Sequence, residues 1–249
     1  MKHSYIDKYG DLNSLLHKLD PRAKVLAFGA ALVFMISEPR GEVGVFVFYY
    51  VLIAAVALLS RIPLVYILKR CLMAAPFILA AAVLLPLSRL SPNVGKTGLF
   101  TRENLCLSLS LLLKAFGAVI LLTLLVSSGK FNNLLRGLRR LHMPSLLGSM
   151  FALMYRYIFL LNDEMLKLKL ARESRTPGKL RISRFKVYGN QAAMIFLRSW
   201  KRAQVVYHSM LARGYHGEFP EYGRLRFVWS DGFFLAGFPA VFAVIRIWC

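Results

Sequence analysis

Hydrophobic and polar positions along this chain fall into long apolar runs separated by short polar turns. AKVLAFGAALVFMIS (23–37) follows LDPR, where Asp20 is placed to cap a helix whose first turn contains Pro21. After the turn SEPRGE comes VGVFVFYYVLIAAVALLS (43–60), which carries no charge and approaches the roughly 20 residues that cross a bilayer. CLMAAPFILAAAVLLPL (71–87) is a third run, in which Pro76 predicts a kink whose freed carbonyl must find a partner inside the bundle. Turn formers dominate 88–104, and LCLSLSLLLKAFGAVILLTLLVSS (105–128) is a fourth run, interrupted by Lys114. Near the end, FVWSDGFFLAGFPAVFAVI (227–245) is a further span weakened by Asp231 and Pro239. LLGSMFALMYRYIFLL (146–161) is apolar but contains Arg156, and suits either a buried helix or a partly inserted one. The pattern predicts an all-α membrane protein with about five transmembrane helices; counting 146–161 would make six and reverse the side on which Cys249 lies.

Composition agrees and adds charge. The 249 residues are 57% hydrophobic, too apolar for an ordinary soluble domain, yet 33 Lys and Arg face 12 Asp and Glu, a net +21. The stretch from Gly129 to Arg226 holds 19 of the basic residues and 5 of the acidic ones. In a membrane protein such an excess marks a cytoplasmic segment that meets anionic lipid or a partner. Placing it inside makes the fourth span run inward, which puts the N-terminus and the RIPLVYILKR loop (61–70) inside too. Arg89, Lys96 and Arg102 are the exception, in a loop that is then outside. The expected organisation is 1–128, N-terminal transmembrane helices; 129–226, a cytoplasmic domain; and 227–249, a C-terminal transmembrane helix. The first 22 residues mix both charges without an apolar core, so no cleaved signal is expected and the protein is read as multi-pass in the cytoplasmic membrane of a prokaryote. Cys71, Cys106 and Cys249 are widely spaced and suggest neither a disulfide framework nor a thiolate metal site.

Two long helices are legible inside the basic stretch, at about 146–175 and 190–213. In the second, Phe196, Trp200, Ala203, Tyr207, Met210 and Leu211 form an apolar stripe that should hold the pair together, with Arg198, Lys201 and Arg202 beside it. Asn190 is a candidate N-cap and Gly214 the C′ residue. The first helix ends before Pro177-Gly178, and KLRISRFKVYG between them reads as a connector with a short helix. Both helices finish on an Ala-Arg pair, Ala171-Arg172 and Ala212-Arg213. A cation in the last turn is favoured by the helix dipole by about 0.3 to 1 kcal/mol, which accounts for either arginine locally but not for the pair.

Familiar catalytic patterns do not fit. SSGKF (127–131) has Gly-Lys, but a phosphate-binding P-loop needs Gly where Leu124 stands and Ser or Thr where Phe131 stands. His3, His17, His142, His208 and His216 show no metal-ligand spacing. Lys114, Arg156 and Asp231 lie at or near membrane depth and are functional candidates, although for Arg156 and Asp231, near span ends, an internal ion pair or snorkelling to the interface is the favoured account.

LDPRAK (19–24), ARESR (171–175), RSWKRAQVVYHSMLARGYHG (198–217) and the order of spans together resemble the transmembrane T component of energy-coupling factor (ECF) ABC transporters, closest to the CbiQ branch associated with cobalt. The likeness covers nearly the whole chain, and its specific residues lie at 165–220. It implies two coupling helices whose Ala171-Arg172 with Arg175, and Ala212-Arg213-Gly214, dock on two ABC ATPase subunits of the CbiO or EcfA type. Glu173 departs from the pattern where the second motif has Gly. It further implies a substrate-binding membrane subunit of the CbiM or S-component type and a small accessory membrane subunit of the CbiN type. The chain itself would be non-catalytic, with no cofactor and no metal of its own, ATP and Mg being bound by the partner subunits. Cobalt is the expected substrate, with nickel or a vitamin as alternatives. A stand-alone carrier using Lys114 and Asp231, or a nucleic-acid or lipid-surface binder using the basic stretch, are the other readings. The first should show internal repeats, which are not evident, and the expected partners include the lipid bilayer but no nucleic acid.

Overall fold

The computed structural model describes residues 14–38, 43–88, 102–175, 184–217 and 228–248, and among these it is entirely helical. The helices are α1 (Leu15–Lys18), α2 (Pro21–Ile36), α3 (Val43–Leu59), α4 (Leu64–Ser88), α5 (Arg102–Ser127), α6 (Phe131–Arg140), α7 (Ser145–Arg175), α8 (Arg184–Ala212) and α9 (Trp229–Trp248). They divide into two compact units, one made of α1 to α6 with α9, the other of α7 and α8 within His142–Gly223.

In the larger unit α2 is the central element, packed against α9, α5 and α6. It starts as LDPR dictates. The Asp20 carboxylate accepts from the Arg22 amide at 2.9 Å, and Pro21 occupies the first turn, where its missing N–H is no loss. Ala27, Phe28, Ala31 and Met35 are buried along one stripe, the two alanines letting neighbouring backbones approach. Beside them runs an aromatic column. Phe234, Phe238 and Phe242, one turn apart on α9, are joined by Phe28 from α2 at 5.3 Å from Phe238, and by Tyr49 from α3, stacked 4.8 Å from Phe242.

Two lysines close the polar ends of this core. Lys24, at the start of α2, donates to the Ser128 carbonyl just beyond α5 at 3.0 Å. Lys114, inside α5, donates to the carbonyls of Ile36 at 3.0 Å and Glu38 at 2.7 Å, where α2 ends. The two helices are thus antiparallel, and each supplies the cation for the other's C-terminal carbonyls. Lys114, an interruption in sequence terms, is here a helix-end clamp.

The outer faces stay apolar. Leu68, Leu72 and Phe77 on α4 are each about three-quarters exposed, which suits a lipid surround. Among the described residues three helices are long and apolar enough to cross a membrane, through Leu64–Leu84, Cys106–Ser127 and Ser145–Arg175, and Gly44–Leu59 is apolar but shorter.

Several boundaries differ from the sequence reading. α4 begins at Leu64, so only Arg61 to Pro63 remain a turn, with Arg61 at φ +54°, and Lys69 and Arg70 are helical. The helix continues through Pro76. α5 begins at Arg102, inside the segment read as loop, while 89–101 lies outside the described residues. Residues 129–141, grouped by charge with the basic region, belong with the larger unit because α6 packs on α2.

That packing is close. A Cβ placed on Gly137 would lie 3.0 Å from the Pro21 carbonyl carbon and 3.2 Å from the Arg22 nitrogen, and neither backbone atom can move aside cheaply. Gly137→Ala should destabilise the protein by about 1–3 kcal/mol through overpacking, outweighing the better helix propensity of Ala. A lowered Tm in detergent checks it, with Gly189→Ala, whose methyl meets nothing, leaving Tm unchanged or raised.

Candidate functional site

The unit that carries the Ala-Arg pairs consists of α7 and α8, of 31 and 29 residues, each more than 40 Å long at about 1.5 Å per residue. They pack as an antiparallel pair, since partners that rise along α8 fall along α7. Arg198 donates to Glu164 at 3.1 Å, Gln191 donates to the Leu168 carbonyl at 3.3 Å, and Arg172 donates to the Gln191 side chain at 3.3 Å.

Glu164 is the electrostatic centre of the pair. Besides Arg198 it has Arg202 at 3.9 Å and Lys167, on its own helix, at 4.0 Å, and its side chain is only 20% exposed. One carboxylate faces three cations, so this crossing keeps a local excess of positive charge.

The two arginine motifs differ in kind. Ala171, Arg172 and Arg175 lie within the last turns of α7, and the chain stays helical to Arg175. Arg172 is half-buried, its guanidinium carbon 4.8 Å from the Tyr188 ring centroid, with Glu173 at 3.8 Å. Ala212-Arg213-Gly214 is a true helix end. The Tyr215 amide donates to the Met210 carbonyl and the Gly214 amide to that of Leu211, both at 3.0 Å, and Gly214 sits at φ +81°. This is the paired-bond C-terminal motif in which glycine is favoured because a Cβ disfavours positive φ. Arg213 is therefore the C-cap, exposed, and no side chain among the described residues pairs with its guanidinium.

Antiparallel packing puts the motifs at opposite ends. Arg172 sits beside Tyr188 and Gln191 near the start of α8, 22 to 25 residues before Arg213, a separation of about 33 Å along the helix. Side-by-side helices thus present two tips facing opposite ways, which spacing in the sequence did not reveal.

Between the N-terminal half of α7 and the C-terminal half of α8 runs an apolar groove of about 800 Å³, lined among others by Leu153, Tyr157, Val206, Tyr207, Met210 and Tyr215. The predicted stripe on α8 splits here. Ala203, Tyr207, Met210 and Leu211 line the groove, while Phe196 and Trp200 lie outside it; Tyr207, Phe196 and Trp200 are all more than half exposed, so the stripe does not hold the pair together as expected. α8 also starts at Arg184, so Asn190 is interior and not an N-cap. Residues 176–183, with Pro177-Gly178 and the start of the predicted connector, lie outside the described residues.

Sequence reasoning missed the Tyr188 and Gln191 brace on Arg172, because it crosses two helices and no local spacing marks it. The intramembrane candidates separate as well. Lys114 is the α2 clamp described above. Asp231 is 2% exposed and accepts the Asp20 amide at 2.9 Å and the Val228 amide at 2.8 Å, so it serves backbone groups and does not snorkel. Arg156 is exposed.

Comparison with known proteins adds an independent finding. The family model CbiQ, described as cobalt transport protein, matches residues 12–222. An uncharacterised protein of Methanocaldococcus jannaschii is 25% identical over 225 residues, covering 86% of this chain and 76% of that one. A second uncharacterised protein of the same organism is 40% identical over 80 residues, 32% of this chain and 30% of its own. The nickel permease LarQ of Lactiplantibacillus plantarum is 32% identical over 111 residues, 45% of this chain and 40% of the permease.

Gly214→Ala should strain the end of α8 by about 1–2 kcal/mol, because its φ is positive. Faster hydrogen exchange at the amides of Gly214 and Tyr215, with α7 amides unchanged, is the expected result.

Proposed function

Because the chain belongs to the CbiQ family of cobalt transport proteins, matched over residues 12–222, we propose that it is the energy-coupling membrane subunit of an ECF-type ABC importer. In this role it binds no nucleotide. It carries the ATP-driven motion of two ATPase subunits, which hold ATP and Mg, to a separate membrane subunit that binds the substrate, with a small accessory membrane subunit alongside.

The observation that supports this best is the pair of arginine tips about 33 Å apart on one helix pair. A single groove cannot receive both, but two ATPase subunits offer two. Arg213, exposed at its cap, can pair bidentately with a carboxylate or with carbonyls in such a groove. Arg172 is held by Gln191 and Tyr188, so docking there exchanges an existing hydrogen bond for a new one. Relative motion of the two ATPases then acts on opposite ends of a packed helix pair, which responds by shear or hinge movement because packed interfaces do not deform continuously. The positive excess between Gly129 and Arg226 supports a cytoplasmic side for this unit, and with it for the N-terminus.

Cobalt is the substrate read from the family. Nickel is the second reading, favoured by the 32% identity to a protein named as a nickel permease.

Arg213→Glu should release at least one ATPase subunit on co-purification and reduce cobalt uptake by about tenfold or more, the factor expected when a charge-assisted contact becomes repulsive. Arg172→Glu should have a smaller effect. If the double variant keeps both ATPase subunits and normal uptake, the coupling reading is wrong.

A further inference from the structure

In the chain, the coupling helices α7 and α8 lie between α6 and α9, both of which belong to the larger unit. These two flanking helices are both seated on one turn, Leu19 to Arg22. On the exit side, Gly137 of α6 lies so close to Pro21 and Arg22 that a Cβ there would sit 3.0–3.2 Å from them and force a small shift. On the return side, Asp231 of α9 reaches the Asp20 amide at 2.9 Å.

Asp231 does two jobs with its two oxygens. It is the third residue of α9, and its Oδ2 accepts the Val228 amide at 2.8 Å, the reach-back half of a capping box. Its Oδ1 takes the amide of Asp20, whose own carboxylate caps α2 through Arg22. The start of α9 is thereby hydrogen-bonded to the start of α2. Lys24 extends the junction. It feels the carboxylates of Asp231 and Asp20, and its ammonium donates to the carbonyls of Ser128 at 3.0 Å and His17 at 3.3 Å. The His17 ring in turn meets the Ser127 carbonyl at 3.2 Å. Ser127 and Ser128 close α5 immediately before α6, so every element next to the exit and the return converges on this turn.

Asp20, Lys24, Ser128 and Asp231 are all at most 6% exposed. A buried carboxylate is costly unless its partners are fixed, and an exposed Ser or Asp would cap α9 as well. The additional consequence of burying this one is the bond to α2.

We infer that the Leu19–Lys24 turn is the anchor through which displacement of the coupling unit reaches the membrane helices, with Asp231 as its positioning residue. This rests on the coupling role proposed above. Pull or rotation at either covalent connection arrives at the N-terminus of α2, the helix on which α5, α6 and α9 all pack. α2 then moves as a rigid element.

The test uses the whole complex, with both ATPases and the substrate-binding subunit, in proteoliposomes, measuring cobalt uptake and ATP hydrolysis together. A wild-type chain that assembles with no ATPase would defeat the coupling reading itself. Given assembly, Asp231→Asn is the informative change. It keeps the shape but turns an NH2 toward one of the two amides. Assembly and ATP hydrolysis should be retained while uptake per ATP falls by about tenfold, the scale of one lost hydrogen bond to a charged group. An unchanged ratio, or equal loss of uptake and hydrolysis, overturns the anchor. If Asp231→Asn fails to assemble, Lys24→Gln decides in its place. It loosens the link to Ser128 and leaves both Asp231 amide bonds, and a wild-type ratio there also overturns the inference.

Discussion

The larger unit depends on satisfying backbone carbonyls at helix ends in surroundings that offer no water. α2 and α5 solve this reciprocally, Lys24 serving the carbonyl beyond α5 and Lys114 those at the end of α2. Each lysine enters an apolar environment only because fixed carbonyls await it, and each holds the register of one helix against the other. The stripe of Ala27, Phe28, Ala31 and Met35 can then be small and close-packed on one side and aromatic on the other. Gly117 fits this register too, since a Cβ there would collide with the buried Met35 side chain.

The unit of α7 and α8 is built on a different principle. Its helices meet through a few polar contacts around Glu164 and Gln191 and through one side of a groove, and much of their apolar surface, including Met150, Met154, Phe196 and Trp200, stays exposed. Exposed apolar surface on this scale is expected where a partner or lipid completes the structure. Methionines in such a surface adapt to more than one shape. One unit thus has a well-packed core of its own and the other an incomplete one.

What could be read from the sequence was what is local. Asp20 as a cap and Gly214 as the C′ residue depend on neighbours within a turn, and both are found. Of the apolar runs, those at 71–87 and 105–128 fall in helices long and apolar enough to cross a membrane, and the run at 146–161 proves to be part of a third such helix. What could not be read depends on residues far apart in the chain. Asp231 was a stray charge until Asp20, 211 residues away, came to meet it, and Lys114 was an interruption until Ile36 and Glu38 were beside it. Residues 129–141 were assigned by charge, which ignores that Gly137 has a fitted place against Pro21. The α8 stripe failed for a similar reason. Periodicity marks an apolar face but cannot say whether the neighbouring helix covers it, and from Ala203 onward the face lines an open groove beside α7 while Tyr207 and Leu211 stay exposed. In the candidate site the arginines were visible but their opposed placement was not, because helix direction is a tertiary property.

The two arginine tips are chemically unlike. One guanidinium is stacked on Tyr188 and hydrogen-bonded to Gln191 inside a continuing helix, and the other stands open on a glycine-terminated end. On the proposed coupling role, two ATPase subunits that are copies of one chain would meet unlike tips, so this single subunit would break their two-fold symmetry and set their nucleotide sites in unequal mechanical environments.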